Sequence, residues 1–420
     1  MLRTYGAEAQ DTAALSTRLI VEPLRAVAAT ELPTGDAERA AAHADDAGIP
    51  ADLLARFGAS VRQTHERANV VVLDVPADRQ AALIEALRAI GVSARPPLPI
   101  QPLLIDSIPL LHVPPLHHAG LSGAGVRIAI VDTGIDAAHP DLRGRVAALQ
   151  DFSGAGLGDD VGHGTHVAGI AAGAGAVYRG VAPGATLVIA KALSAAGGTE
   201  DAVLAAMSWA SRQHVQVMNL SLGGPAHLGS TGSPLAREVD ALTAQGIIVC
   251  VACGNSGPDA GTIGSPGDAR GALTVGAVDK TGALAFYSSR GPVPGVRYRK
   301  PDVVAIGGGV AQGATCAYGT GIASARAAVR ASDPCVVPPR YVRMSGTSMA
   351  TPHVAGICAL LLEATRDRKL TALAQARLVR AAIVGTARPL AGATAAAAGA
   401  GLVDAAAALA RLRIRRRAAA

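Results

Sequence analysis

The sequence predicts an α/β fold class: a three-layer α/β/α domain with a mainly parallel sheet, preceded by a small ferredoxin-like α+β domain. From residue 125 onward, apolar strand-like segments alternate with helical segments. Strands that are separated by helices form parallel sheets with helices on both faces. Before residue 97, the segments follow the order β-α-β-β-α-β, which is that of a ferredoxin-like domain. A proline-rich stretch separates the two patterns and indicates a domain boundary.

The small domain is predicted to span residues 17–96, after a disordered leader at residues 1–16. Its second helix has apolar residues at helical spacing and a stop signal at Gly91. The helix before it is Ala-rich and could break at Pro50. In chain order, the predicted elements are strand 17–23, helix 36–57, strands 60–64 and 69–75, helix 77–90 and strand 92–96.

Residues 97–117 are predicted to be a linker, because proline fixes an extended backbone and excludes helix. The large domain is predicted at residues 118–410, and a basic tail at 411–420 is expected to be frayed and solvated. The predicted strands of the large domain are 126–131, 186–193, 215–220, 247–252, 273–278 and 303–306, and its helices are 163–173, 201–214, 234–245 and one within 399–412.

Composition indicates a globular chain, since 50% of the 420 residues are hydrophobic and 17% are charged. No apolar run approaches the ~20 residues that a membrane helix needs, so no transmembrane segment is predicted. The N-terminus lacks the apolar core of a signal peptide, which makes a cytoplasmic location the default and export by an unrecognised or truncated signal the alternative. The net charge of +6 is concentrated in the tail, and we expect a monomer that binds no nucleic acid.

The most informative stretch is residues 341–356, YVRMSGTSMATPHVAG. Ser348 stands among small residues before an apolar run, which predicts a tight loop followed by a buried helix with Ser348 at its first turn. Pro352 fits near such a helix start. The first turn carries positive partial charge and would stabilise an anion that forms beside Ser348.

A serine hydroxyl needs a base to take its proton, and the base needs a third group to orient it. Asp132 stands at the end of the apolar stretch VRIAIVD, and His163 lies between two glycines at a predicted helix start. Taken alone, Asp132 or Ser348 would be more typical of a capping residue. The chain order is Asp132, His163, Ser348.

Four blocks in this order resemble the subtilisin-like serine proteases, the subtilases. They are VDTGID at 131–136, HGTHVAG at 163–169, SLGG at 221–224 and SGTSMATPHVAG at 345–356. The resemblance implies a serine endopeptidase with a subtilisin-like catalytic domain and an acyl-enzyme intermediate. It also implies that the small domain is a propeptide, which acts as an intramolecular inhibitor of a self-processing zymogen.

The resemblance assigns catalytic roles to four residues. Ser348 would attack the peptide carbonyl, His163 would take and return the proton, and Asp132 would orient the imidazole. Asn255, in the block ACGN, resembles the side-chain donor of the family's oxyanion hole, and the backbone N–H of Ser348 would be a second donor. This chemistry requires no cofactor.

The expected partners are protein or peptide substrates, which could add as a strand between two glycine-containing segments. The first specificity pocket is expected between residues 221–224 and 252–255, which contain no Asp or Glu, so a broad apolar preference is predicted. The expected substrate-binding residues are Gly197, Gly198, Ser221, Leu222, Gly223, Ala252 and Gly254.

Several points stay open at this stage. Asp141 resembles a family calcium ligand, but the loop at 171–180 is short and lacks the expected asparagines, so no metal ligand is assigned. Cys316 and Cys335 could form a disulfide in an oxidising compartment. Residues 307–340 form an insertion that either shapes the cleft or is an ordinary surface loop.

Two other functions remain alternatives to the endopeptidase. One is a protease-like protein that binds peptides without turnover, which a complete set of catalytic residues argues against. The other is a sedolisin-type acid protease, which shares the fold but uses Glu where this chain has His163.

Overall fold

A computed structural model describes residues 16–22, 49–65, 70–96, 107–224, 233–309, 320–330, 333, 335–337 and 339–417. The chain divides into two units, Met1–Ile100 and Gln101–Ala420, which are considered separately. The predicted leader up to residue 15, the first part of the predicted helix 36–57, and residues 97–106 lie outside the described residues. Among the described residues, no helix is both long and apolar enough to cross a membrane.

The N-terminal unit contains a four-stranded antiparallel sheet in the order β2-β3-β1-β4, which is the ferredoxin-like order. Alternate strand residues such as Leu19, Val21 and Leu73 form one buried face, and Leu83 and Leu87 on the second helix belong to the same core. The elements are β1 Ser16–Glu22, α1 Ala51–Arg56, β2 Ser60–His65, β3 Val70–Pro76, α2 Gln80–Ala89 and β4 Ser93–Arg95.

The second unit is built on a seven-stranded sheet in the order β11-β10-β9-β8-β5-β7-β6, and every neighbouring pair is parallel. Of these seven strands, only β6 was absent from the sequence prediction. It is a half-exposed edge strand, so it lacks the continuous apolar run of the inner strands. The strands are β5 Arg127–Asp132, β6 Val146–Asp151, β7 Thr186–Lys191, β8 Val217–Leu220, β9 Ile248–Ala252, β10 Leu273–Val278 and β11 Val303–Ile306.

Helices cover both faces of this sheet and confirm the predicted three layers. Alternation along β5 places Ile128 and Ile130 in one core and Ala129 and Val131 in the other. The first core includes α4 His163–Ala172 and α7 Thr347–Ala364, and the second includes α5 Glu200–Ser211 and α6 Pro234–Ala244. The other helices are α3 Pro114–His118, α8 Ala372–Thr386, α9 Ala395–Ala398 and α10 Ala405–Arg417.

Two strands of a small antiparallel sheet lie within the predicted insertion, and its third strand follows the insertion and directly precedes α7. Its strands are β12 Ile322–Ala325, β13 Val336–Val337 and β14 Tyr341–Met344, in the order β12-β14-β13. Cys335 is disulfide-bonded, whereas its candidate partner Cys316 lies outside the described residues.

Two predicted segments differ from the structure. Part of the linker 97–117 packs into the larger unit, since Ile108, Leu111 and Leu116 are buried in its first core. The tail is not frayed between Arg411 and Arg417, because α10 continues through Arg417 with Leu412 buried in the same core.

Candidate active site

The site residues gather at the C-terminal ends of the parallel strands, where open α/β sheets bind ligands. Asp132 ends β5, and Ser221 and Asn255 follow β8 and β9. His163 begins α4, and Ser348 is the second residue of α7. These two helices pack against each other on the same face of the sheet.

Asp132 is fully buried, and its Oδ1 accepts a hydrogen bond from His163 Nδ1 at 2.7 Å. The backbone N–H of Thr133 donates to the same oxygen at 2.8 Å. A carboxylate only accepts, so this contact places the proton of a neutral imidazole on Nδ1. His163 Nε2 is therefore left as the atom that can take a proton.

The loop before His163 is held by Asp159, a residue that the sequence interpretation did not single out. Its Oδ1 accepts from the N–H of Gly162 at 2.7 Å, and its Oδ2 accepts from the N–H and hydroxyl of Thr165 at 2.8 and 2.6 Å. The Thr133 hydroxyl also donates to Oδ1 at 2.8 Å. An acidic residue just before a predicted helix start was the available signal, because carboxylates cap helix N-termini.

The pKa of His163 reflects two opposing effects. Burial alone lowers it, but the charge and hydrogen bond of Asp132, with the charge of Asp159, outweigh burial and raise the pKa above its ordinary value. Only the neutral imidazole can accept a proton. Because its pKa is raised, His163 stops acting as a base at a higher pH than an ordinary histidine would as the pH falls.

Ser348 and Ser221 exchange hydrogen bonds. The Ser348 hydroxyl donates to the backbone carbonyl of Ser221 at 3.1 Å, and the Ser221 hydroxyl donates to the backbone carbonyl of Ser348 at 2.8 Å. Asn219 Nδ2 donates to the Ser221 hydroxyl at 2.9 Å. The structure thus joins Asp132 to His163, while the Ser348 hydroxyl is bonded to Ser221.

Pro352, which the sequence analysis placed near a helix start, lies inside α7 as its sixth residue. Proline has no N–H to donate to the carbonyl four residues earlier, which is that of Ser348. The Ser221 hydroxyl supplies that missing hydrogen bond.

Asn255 is oriented by Thr347. Both the backbone N–H and the hydroxyl of Thr347 donate to Asn255 Oδ1 at 2.9 Å. A backbone N–H is only a donor, so the contacted atom is the amide oxygen and Nδ2 remains free to donate. Among the described residues, the N–H of Ser348 has no acceptor, so two donors are available at the start of α7.

Two cavities border these residues. The first, of about 640 Å³, is lined by Ser348 and Asn255 together with uncharged residues. The second, of about 370 Å³, is lined by glycines and by both apolar and polar side chains, with Glu200 the only charged residue among the described lining. Between them the two cavities are lined by five of the expected substrate-binding residues: Gly198, Leu222, Gly223, Ala252 and Gly254.

The remaining two expected binding residues lie close by but do not line either cavity. Ser221 is buried and engaged with Ser348. Gly197 closes a tight turn with φ +91°, a conformation that favours glycine.

The residues around Asp141 do not fit a calcium cage. The Asp141 carboxylate accepts from the Tyr341 hydroxyl at 3.0 Å and lies against the backbone of Gly175, where any side chain would collide with it. In the described part of the chain, no three His, Cys, Asp or Glu side chains cluster as metal ligands. Calcium takes six to eight oxygen ligands, and the described residues here include no cluster of acidic side chains to supply them.

A family model described as the subtilase family matches residues 123–404 of this chain. The chain belongs to the subtilase family. The match spans all the site residues named above, and the predicted membership in this family of serine endopeptidases is confirmed.

Individual proteases are also similar to this chain. Serine protease AprX of Bacillus subtilis (strain 168) is 39% identical over 274 residues, which cover 59% of this chain and 59% of AprX. Subtilisin Savinase of Lederbergia lenta is 37% identical over 257 residues, which cover 60% of this chain and 81% of Savinase. The solved structure of a protease from Pseudoalteromonas arctica PAMC 21717 matches 72% of this chain and 94% of its own, with a TM-score of 0.58 and 27% identity.

Proposed function

We propose that this subtilase is an active serine endopeptidase in which Asp132, His163 and Ser348 carry the reaction. The observation that carries the proposal is the 2.7 Å hydrogen bond between buried Asp132 and His163, which leaves Nε2 as a base at the end of the sheet where Ser348 lies. Family membership supports the same reaction class.

The reaction begins when the Ser348 hydroxyl turns from the Ser221 carbonyl to His163 Nε2, a rotamer change that is fast on the scale of catalysis. Oγ attacks the substrate carbonyl as its proton passes to Nε2, and Asp132 stabilises the imidazolium that forms. His163 then gives this proton to the leaving amine. Water hydrolyses the acyl-enzyme by the same sequence of proton transfers.

The tetrahedral intermediate places negative charge on the former carbonyl oxygen. Asn255 Nδ2 and the backbone N–H of Ser348 are the proposed donors to this oxygen. Because Thr347 holds the other end of the Asn255 amide, Nδ2 is oriented before substrate binds. The positive end of the α7 dipole adds to the stabilisation.

The substrate is proposed to be an extended peptide, bound between residues 197–198 and residues 221–223. The side chain before the cleaved bond would enter the cavity of about 640 Å³, which also touches Ala252 and Gly254. Its described lining is uncharged, which favours a large apolar side chain over a charged one.

The N-terminal unit is proposed to be a propeptide that inhibits the catalytic unit of the same chain until it is cut away. Its ferredoxin-like strand order supports this role. The disulfide at Cys335 supports the export alternative, since disulfides persist in oxidising compartments.

Fluorophosphonate labelling of the purified full-length chain tests the enzymatic proposal. Wild type should be labelled at Ser348, and Ser348→Ala should not. Ser211→Ala, which removes a hydroxyl that donates to the carbonyl of Ser208 within α5, is the matched control and should be labelled like wild type. A folded wild-type chain that stays unlabelled, even after limited proteolysis between the two units, would instead indicate a peptide-binding protein without turnover.

A further inference from the structure

A buried lysine lies beside the catalytic aspartate. Lys191 ends β7, is the register partner of Asp132 in the sheet, and is fully buried. Its Nζ donates to the backbone carbonyl of Gly158 and to Asp160 Oδ1, both at 2.6 Å. A buried ammonium is stable only when it is paired with an opposite charge and hydrogen-bonded. Lys191 at this position therefore needs the carboxylate of Asp160 as its partner.

The second oxygen of Asp160 reaches a different segment. Asp160 Oδ2 accepts from the backbone N–H of Ala195 at 2.9 Å. Ala195 is exposed and belongs to a turn that is closed by two backbone hydrogen bonds of 2.9 Å between Ser194 and Gly197. This turn leads into Gly198, which lines the second cavity.

Asp160 is also adjacent to Asp159, whose carboxylate caps the helix that begins with His163. Neighbouring residues of one loop therefore hold two different parts of the proposed site. The hydrogen bonds from Lys191 and from Ala195 lower the pKa of Asp160, so its carboxylate stays charged and can serve both donors.

We propose that Asp160 is a positioning residue that fixes the 194–198 segment relative to His163. The inference rests on the proposed function, because it treats the 194–198 segment as one side of the substrate-binding cleft. Catalysis depends on holding the substrate to within a fraction of an ångström of the reacting groups. Asp160 supplies this coupling through one side chain, with one oxygen on Lys191 and the other on the exposed turn.

The test compares Asp160→Ala with wild type on two chromogenic amide substrates, one with four residues before the cleaved bond and one with a single residue there. Only the longer substrate can reach the 194–198 segment. We expect kcat/KM for the longer substrate to fall about tenfold, the usual scale for losing hydrogen bonds to a charged group, and that for the shorter to fall less than about twofold.

Two further variants make the result specific. Asp160→Asn keeps an oxygen that can accept from the N–H of Ala195. For the longer substrate, its fall in kcat/KM should be about half that of Asp160→Ala on a logarithmic scale. The same variant replaces Asp160→Ala in the test if Asp160→Ala does not fold. Asp367→Ala removes an exposed carboxylate after the C-terminal end of α7 and should leave both substrates unchanged.

An equal loss on both substrates would overturn the proposal, because it would indicate that Asp160 only supports the His163 loop. Unchanged rates on both substrates would overturn it as well. A wild-type chain that hydrolyses neither substrate, even after limited proteolysis between the two units, would refute the proposed function itself, and with it the role assigned to Asp160.

Discussion

The side-chain amide of Asn255 is oriented by hydrogen bonds to its oxygen, and this orientation leaves its nitrogen available as a donor. The backbone N–H and hydroxyl of Thr347 occupy Oδ1, both at 2.9 Å, so the donor end points away from that anchor. A donor that is oriented before substrate binds does not have to reorganise during the reaction, which is the basis of oxyanion stabilisation. At this scale, the proposed role of Asn255 depends on Thr347, the neighbour of Ser348.

Asn255→Ala is expected to lower kcat by about 10²- to 10³-fold with a small change in KM, because the lost donor acts on the transition state. Steady-state kinetics on an amide substrate measures this split. The control is Thr347→Val, which removes one of the two donors to Oδ1 and keeps the backbone N–H. It should cost less than about tenfold, since one neutral hydrogen bond contributes about 0.5–1.5 kcal/mol. A larger loss for Thr347→Val than for Asn255→Ala would contradict this assignment.

At the scale of elements, the small sheet β12-β14-β13 is hydrogen-bonded to the helix that begins with His163. His166 Nε2 contacts the carbonyls of Ile322 on β12 and Val342 on β14 at 2.9 and 3.1 Å. Burial lowers the pKa of His166 to about 3, so the ring is neutral and Nε2 donates to both strands. Strands β12 and β14 are therefore packed parts of the larger unit, and β14 leads directly into the helix that carries Ser348.

Tyr341, the first residue of β14, joins this sheet to Asp141 and makes an edge-to-face contact with Tyr178, with ring centroids 4.5 Å apart. Burial, together with the charge and hydrogen bond of Asp141, raises the pKa of Tyr341. Tyr341→Phe would leave the buried carboxylate without this donor. We expect a loss of about 1.5–3 kcal/mol in the free energy of unfolding, measured by urea denaturation.

Tyr298→Phe is the matched control for this prediction. The Tyr298 hydroxyl donates to the uncharged backbone carbonyl of Asp268 at 2.9 Å, so its removal should cost only about 0.5–1.5 kcal/mol. If Tyr341→Phe lowers the free energy of unfolding no more than Tyr298→Phe does, the hydrogen bond from Tyr341 to Asp141 does not stabilise the fold as predicted.

For the whole molecule, the larger unit begins earlier than the sequence indicated. Ser107 is buried and its hydroxyl contacts His353 Nε2 at 2.8 Å, while Leu111 is fully buried and its carbonyl accepts from the N–H of Ala405 at 2.9 Å. A cut after Leu111 would remove these core contacts from the catalytic unit. Processing should therefore fall before Ser107.

N-terminal sequencing of the processed wild-type chain should give a first residue between positions 97 and 107. Ser348→Ala should remain full-length, because it lacks the proposed nucleophile. A mature N-terminus beyond residue 111 would contradict the assignment of this segment to the catalytic unit. Full-length wild type that is still labelled by fluorophosphonate would contradict self-processing alone.

The sequence by itself determined the fold class and the family. Uniform apolar strands separated by helices require a parallel sheet that is covered on both faces, and the structure has that sheet. The blocks that resemble the subtilases were sufficient to name Asp132, His163, Ser348 and Asn255 as candidates. The half-exposed edge strand β6 was not predicted, because its residues lack a continuous apolar run.

Only the tertiary structure decided which distant residues support these candidates. Asp160 meets Lys191 across 31 positions, and Ser221 meets Ser348 across 127. The burial of Leu111, in a proline-rich stretch, likewise depends on packing against elements far along the chain. Local periodicity reports on neighbours within a few residues, whereas these contacts form only after the sheet brings strand ends together. Sequence patterns could therefore locate the chemical groups, while the partners that orient them depend on the folded sheet.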